Sequence, residues 1–333
     1  MKKRILFIGT GGTIASELSR GGLLPGVGPE QLLSYVPDVA ELCEVECLQL
    51  YELDSTDIGP AHWLGMAGAI RENYGDFDGF VISHGTDTMA YTAAALSYLV
   101  QGSPKPIILT GAQKPIGEDA SDSRTNLRDS FRCAAARGMH GVCIVFNGRV
   151  ILGTRARKTH TKSFDAFTSI NYPNIADVRD GQLIRYITPY CRSEPRFYGR
   201  LNPNVALLKL IPGTRPELLE YMLRSSDALI IESFGVGGLP HGGGMHALVS
   251  AAAAAGKTVV MTTQVQNEGS DLAVYATGRP LSEDGGILEA YDMTTECAVA
   301  KLMWLLPLAR TGEDIRRLFY TPVSLDILTD ALH

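Results

Sequence analysis

Short runs of branched and aromatic apolar residues recur along this chain, separated by longer stretches with helical spacing. Residues 4–9, 79–83, 106–110 and 141–146 are rich in Ile, Val, Leu and Phe and are flanked by Gly or Pro, the mark of buried strands. Between them, 60–73, 88–101 and 123–137 carry apolar residues at helical spacing, with good helix formers such as Ala93 to Leu96. Such alternation leaves few architectures open, chiefly a mostly parallel sheet covered by helices on both faces. The pattern returns with strands at 205–210, 228–232 and 258–262 and helices near 215–225, 244–256 and 292–305. The segment 149–200 breaks it, being polar, with Pro173, Pro189 and Pro195 and clear elements only at 149–152 and 182–187. A chain of 333 residues exceeds the usual single core. The expected fold is α/β. A larger N-terminal, mostly parallel α/β sandwich domain covers 1–188, a linker covers 189–204, and a smaller C-terminal α/β domain covers 205–333.

Charge and composition narrow the function. A net charge of −6 disfavours nucleic acid as the main partner, because phosphate binding needs a dense basic surface. The one basic cluster, Arg155, Arg157, Lys158 and Lys162, reads on charge alone as a solvated face. Six cysteines, at 43, 47, 133, 143, 191 and 297, are scattered too widely for a disulfide framework or a zinc site and read as reduced, buried thiols. The apolar run that begins at Ile5 is too short for a leader segment or a membrane span before glycines interrupt it. A cytoplasmic location is the expectation.

In an open parallel sheet, chemistry is sought in the loops at the carboxyl ends of the strands. The first such loop reads Gly9-Thr10-Gly11-Gly12-Thr13-Ile14-Ala15-Ser16. A dinucleotide fingerprint would need a third glycine where Ile14 stands and an acidic residue about twenty positions later, where no convincing one follows. The loop offers instead the hydroxyls of Thr10, Thr13 and Ser16 on a backbone that can turn sharply. On residue type alone, Thr13 reads as a plain loop threonine. The loop after 79–83 reads Ser83-His84-Gly85-Thr86-Asp87-Thr88-Met89. Thr86 and Asp87 there suit either a helix cap or a reactive group on the same sheet edge as Thr13. His84 either orients that loop through hydrogen bonds or is simply buried. A hydroxyl attacking an amide needs a base, and Lys158, set among other cations, can serve if it points inward. His241 and His246 flank a glycine-rich loop and read as surface residues.

Thr10-Gly-Gly-Thr-Ile-Ala and His84-Gly-Thr-Asp-Thr-Met resemble the two signature segments of the bacterial-type L-asparaginase family, in particular the cytoplasmic type I enzymes. Agreement extends, in order, to Asp54-Ser55-Thr56-Asp57, Thr110-Gly-Ala-Gln, Ser121-Asp-Ser-Arg-Thr-Asn-Leu127, Lys158-Thr-His, Phe164-Asp-Ala-Phe167 and Gly235-Val-Gly, covering nearly the whole chain. The resemblance implies that Thr13 is a nucleophile forming an acyl-enzyme while ammonia leaves. It implies that Thr86, Lys158 and Asp87 support proton transfer and activate the hydrolytic water. Asp87 and Ser55 would hold the α-amino and α-carboxylate groups of L-asparagine, with Asp54, Thr56 and Gly85 in the binding loops. Backbone amides near Thr13 and Thr86 would form the oxyanion hole. It calls for no metal or organic cofactor and for no nucleic-acid or membrane partner, and it implies a homodimer or homotetramer.

Two positions depart from the family pattern. The mobile loop after the nucleophile carries Gly22-Leu23-Leu24-Pro25 where many members have a tyrosine, which makes Tyr275 either a substitute or a packing residue. Gly238 stands where many members have an asparagine that reaches a neighbouring subunit's site, so the preference for asparagine over glutamine stays open. Alternatives are a dual glutaminase-asparaginase, a catalytically inactive amino-acid-binding protein, and the ammonia-producing component of an archaeal tRNA-dependent amidotransferase. The last is disfavoured by the acidic charge and by a threonine motif that starts at residue 10 without the extra N-terminal domain of those proteins.

Overall fold

The structure, a computed structural model, describes residues 2–19, 22–240, 242–274 and 286–328. The chain separates into two compact units, Met1–Gly199 and Arg200–His333. Among the described residues no helix is long and apolar enough to cross a membrane.

The first unit is built on a sheet of eight strands: β1 (Arg4–Gly11), β2 (Glu44–Leu53), β3 (Gly79–Ser83), β4 (Pro106–Thr110), β5 (Gly141–Phe146), β6 (Arg149–Leu152), then, after an interval, Ala176–Arg179 and Gln182–Arg185. From one edge the order is β2-β1-β3-β4-β5-β6, followed by those last two strands. The pairs from β2 to β5 are all parallel, and the rest are antiparallel. The apolar run Ile5–Ile8 is thus an interior strand, buried on both faces as its unbroken hydrophobicity requires. Helices α1 (Pro60–Glu72), α2 (Met89–Leu99) and α3 (Ser123–Ala135) connect the parallel strands. Helix α2 is apolar on nearly every side, and Met89, Ala93, Leu96, Tyr98 and Leu99 are all buried.

Sequence reading missed β2, whose Glu-Val-Glu-Cys-Leu-Gln pattern mixes charge with apolar residues. It is an edge strand paired only with β1, so much of it meets solvent. The segment 149–200 also holds more structure than its polarity suggested. Besides the two outer strands of the sheet, β7 (Ala156–Lys158) and β8 (Phe167–Ser169) form a separate antiparallel pair. The solvated basic face expected at 155–162 is corrected at Arg155. That side chain is fully buried, its guanidinium 5.7 Å from the Tyr172 ring centre. All six cysteines are free, four of them buried and Cys47 and Cys191 half-buried.

The second unit holds an all-parallel sheet, in order Val205–Lys209 (β11), Ala228–Ser233 (β12), Thr258–Thr263 (β13) and Ile287–Glu289 (β14), where β9 and β10 are the Ala176–Arg179 and Gln182–Arg185 strands. Helices α4 (Pro216–Ser225) and α5 (Met245–Ala254) bury Leu219, Leu223, Met245 and Val249 in a core with Leu229, Ile231, Val259 and Met261. Helix α6 (Thr295–Leu305) starts later than its apolar pattern suggested, because the Thr294 hydroxyl caps it by accepting from Cys297 N at 3.1 Å. Helix α7 (Gly312–Tyr320), not read from sequence, buries only Phe319 within its span. The segment beyond it is clasped by a fully buried ion pair. Lys301 Nζ lies 2.6 Å from Asp326 and also donates to Thr321 O at 3.1 Å.

Candidate active site

Four parallel strands deliver their carboxyl ends side by side, in the order β2, β1, β3, β4. From β1 the chain moves outward to β2, whereas from β3 it moves the other way to β4, so the connections diverge between β1 and β3. This is the switch point at which an open α/β sheet leaves a crevice. Its loops touch through glycine. A Cβ on Gly12 would lie 2.3 Å from Gly85 N, and one on Gly85 would lie 2.6 Å from Ser55 Cβ and Oγ. Gly12 also has φ 82°, in the region that L side chains avoid. On the far side, a Cβ on Gly111 would meet His84 O at 2.3 Å. Hydrogen bonds fasten the same seams: Gly12 N to Leu53 O at 3.0 Å, Thr10 Oγ1 to Ser83 O at 2.7 Å, and Thr88 Oγ1 to Ser55 O at 2.7 Å.

The crevice gathers most of the residues singled out from sequence. Thr13 is half-buried at the start of a 3₁₀ turn, Thr13–Ala15, directly after the Gly12 contact. Thr86 is buried just past Gly85. Lys158, at the end of β7, donates from Nζ to Thr86 Oγ1 at 2.7 Å and to Asp87 Oδ1 at 2.6 Å. Its side chain is 17% exposed and that of Asp87 is 60% exposed, so the carboxylate still faces open space while it holds the ammonium. Ser55 is buried against Gly85. Asp54 and Thr56 are exposed, and the Asp54 carboxylate accepts from Thr56 N and Thr56 Oγ1, both at 2.8 Å. That bond caps the 3₁₀ turn Ser55–Asp57 and so fixes the turn that presents Ser55. Tyr275 lies outside the described residues, as does His241. His246 is half-buried rather than a surface residue, its Nε2 donating to Leu239 O at 3.1 Å.

Residues 4–190 match the family model for the asparaginase N-terminal domain, and residues 204–319 match that for the glutaminase/asparaginase C-terminal domain. The chain belongs to the asparaginase family. It is 39% identical to an L-asparaginase of Thermococcus kodakarensis, over 97% of this chain and 99% of that one. It is also 35% identical to a glutamyl-tRNA(Gln) amidotransferase component of Pyrococcus horikoshii, over 97% of this chain and 76% of that one. The solved structure of the thermostable L-asparaginase from Thermococcus kodakarensis superposes with a TM-score of 0.92 at 38% identity, covering 98% of this chain and 99% of that one. The larger parallel-rich unit followed by a smaller parallel one is the fold of this asparaginase-family chain.

Sequence reading quoted Gln113 only within a matching segment and gave it no role, and it passed over Trp63 and Thr92, which stand behind the loop that carries Thr86. Gln113 follows β4, and its Oε1 accepts from Thr86 Oγ1 at 3.3 Å while its Nε2 donates to Ser163 O at 3.0 Å. Its backbone N–H and that of Lys114 are held by the Asp122 carboxylate at 3.1 to 3.2 Å. Burial raises the Asp122 carboxyl above its ordinary range, although those donors favour the charged form. The available signals were the matching segments Thr110-Gly-Ala-Gln and Ser121-Asp-Ser, which hold Gln113 and Asp122. Trp63 and Thr92 sit on α1 and α2, and nothing in their helical spacing distinguishes them from packing residues.

Proposed function

We propose that this chain is an L-asparaginase, hydrolysing L-asparagine to L-aspartate and ammonia with Thr13 as nucleophile. The observation that carries the reading is Lys158 bridging Thr86 and Asp87 at 2.7 and 2.6 Å beside the Gly12–Gly85 contact. Thr13 Oγ attacks the side-chain carboxamide carbon, and an ester bond forms as the C–N bond breaks. The leaving nitrogen takes a proton and departs as ammonia. Water, activated by Thr86 and Lys158, then opens the ester to give L-aspartate and restore the Thr13 hydroxyl. The exposed face of Asp87 receives the substrate's α-ammonium, and Ser55, on its capped turn, takes the α-carboxylate. N–H groups of the Thr13 and Thr86 turns stabilise the oxyanion, at roughly 3 kcal/mol for one donor. The catalytic threonines and Lys158 all lie in 1–188, which would make that domain the seat of the chemistry.

We place the enzyme in the cytoplasm as a homodimer or homotetramer. The resemblance to the cytoplasmic type I enzymes supports the first point. Light scattering on the purified protein tests the second. Ammonia release from L-asparagine and, separately, from L-glutamine, with Thr13→Ala beside them, tests the activity. Turnover that vanishes in the variant supports the reading. An equal glutamine rate makes the enzyme a dual amidohydrolase, since one methylene costs a pocket only ~1–3 kcal/mol of discrimination. Absence of ammonia from either amide, in folded protein, favours an amino-acid-binding protein instead.

A further inference from the structure

His84 is fully buried, and its ring is held at both nitrogens. Nδ1 lies 2.7 Å from Gly85 O, and Nε2 lies 2.9 Å from Thr92 Oγ1, which itself receives Trp63 Nε1 at 3.0 Å. The donors in this chain are fixed by elimination. A carbonyl oxygen only accepts, so Nδ1 carries the proton. An indole nitrogen only donates, so Thr92 Oγ1 accepts from Trp63 and directs its own proton to the Nε2 lone pair. The ring is a neutral Nδ1–H imidazole, and burial, which pushes its pKa down to about 4, keeps it so.

The carbonyl that the ring holds belongs to the peptide joining Gly85 to Thr86. In a trans peptide the C=O and N–H point in opposite directions. Drawing Gly85 O into the buried interior therefore turns Thr86 N–H outward. Among the described residues, that N–H takes no hydrogen-bond partner. Gly85 has no Cβ, so no side chain of its own sets the plane of this peptide, and the ring's hydrogen bond to Gly85 O helps to fix it. We propose that the Trp63–Thr92–His84 relay is a positioning device that aims Thr86 N–H at the oxyanion formed when Thr13 attacks. The proposal rests on the asparaginase reading and deepens it by naming what holds one of the two donors.

The test compares His84→Leu, His84→Asn and Thr92→Val with the wild type for ammonia release from L-asparagine, with Tm recorded for each. It is joined by nitrogen NMR of the wild-type His84 ring without substrate. An oxyanion donor acts in the transition state, so His84→Leu is expected to lower kcat about 100-fold while KM changes less than about 3-fold. An asparagine amide can place an N–H where Nδ1 stands, so His84→Asn should recover at least about 10-fold of that loss. Thr92→Val should fall between the two. The ring should titrate as the neutral Nδ1–H form. Equal kcat for Leu and Asn, a loss carried in KM, or an Nε2–H ring each overturns the relay. If His84→Leu does not fold, His84→Asn and Thr92→Val decide, and a wild-type kcat in Thr92→Val overturns the proposal. Wild-type protein that releases no ammonia defeats the underlying reading, while the ring measurement still decides the tautomer.

Discussion

The two units end their parallel strands in opposite ways. In the second unit the polar groups at the carboxyl ends of β11, β12 and β13 are tied to one another. Ser233 Oγ donates to Gly238 O, Thr263 Oγ1 to Gly235 O, and Gln264 Nε2 to both Leu210 O and Glu232 O. The Glu232 carboxylate accepts from Thr295 Oγ1 at 2.5 Å, and Glu289 accepts from Leu272 N at 3.0 Å. In the first unit, the Asp87 carboxylate stays largely exposed, and Lys158 reaches from β7 onto the loop after β3. Glycines there press the backbones of neighbouring loops together. The same layer architecture thus ends in mutually bonded polar groups in one place and in an exposed carboxylate holding a lysine in the other. Fold alone does not decide which; the residues at the seams do.

The sharpest way to break this contrast is to remove the proposed nucleophile. Thr13→Ala should leave Tm within about 2 °C and lower kcat by at least about 1,000-fold, as loss of a covalent nucleophile does. Activity retained in folded variant protein would place the reactive group elsewhere. Lys158→Met should follow at about 100-fold or more in kcat, because Thr86 and Asp87 lose the group that joins them. A change below about 3-fold would make the lysine a structural cation.

Gly85→Ala tests the seam itself. The added methyl would sit 2.6 Å from Ser55 Cβ, so the loops must part. A loss of ~1–3 kcal/mol in stability is expected, together with a raised KM as Ser55 moves. Unchanged KM and stability would mean that the contact is slack. The matching change in the second unit is Thr295→Val, which takes away the hydroxyl donated to the buried Glu232. It should cost ~2 kcal/mol in denaturant unfolding and leave the rate per folded molecule within about 2-fold. A large rate loss there would show that the second edge is not inert.

Much of the first edge was legible in the chain because its strands are unbroken apolar runs that end in glycine. Ile5–Ile8 into Gly9–Gly12 and Phe80–Ile82 into Gly85 announce both strand and loop. Strand β2 was not legible, since an edge strand alternates and Glu44 and Glu46 dilute its signal. Arg155 misled for the opposite reason. Its charge suggested solvent, whereas the fold encloses its guanidinium beside the Tyr172 ring. The Thr86–Asp87–Lys158 group spans 72 positions between Thr86 and Lys158, and only the pairing of β7 with β8 turns that distance into a contact. The relay from Trp63 to His84 was hidden more completely. Tryptophan and threonine on apolar helices look like packing until a buried imidazole gives their polar atoms a purpose.

That imidazole also sets the smallest effect, a difference in acid stability between wild type and His84→Asn. The folded pKa is about 4, below the ordinary 6.5, so the unfolded chain binds the proton first as pH falls. The stability that neutral His84 allows is therefore complete above pH 6.5 and is lost between 6.5 and 4. At about pH 5.5 the loss is on the order of 1 kcal/mol relative to neutral pH. Asp129 works against it, because burial raises its carboxyl to about 6 from 3.8 and the folded state then gains from protonation as pH falls through that range. Wild type alone would show only the balance of the two. Since His84→Asn keeps Asp129 and has no ring to protonate, subtracting its urea-unfolding curve cancels the aspartate and leaves the histidine. Wild type should lose on the order of 1 kcal/mol more than the variant between about pH 7.5 and about pH 5.5. Parallel curves would mean that the ring already meets water in the folded protein, and a wet ring could not hold Gly85 O in the interior.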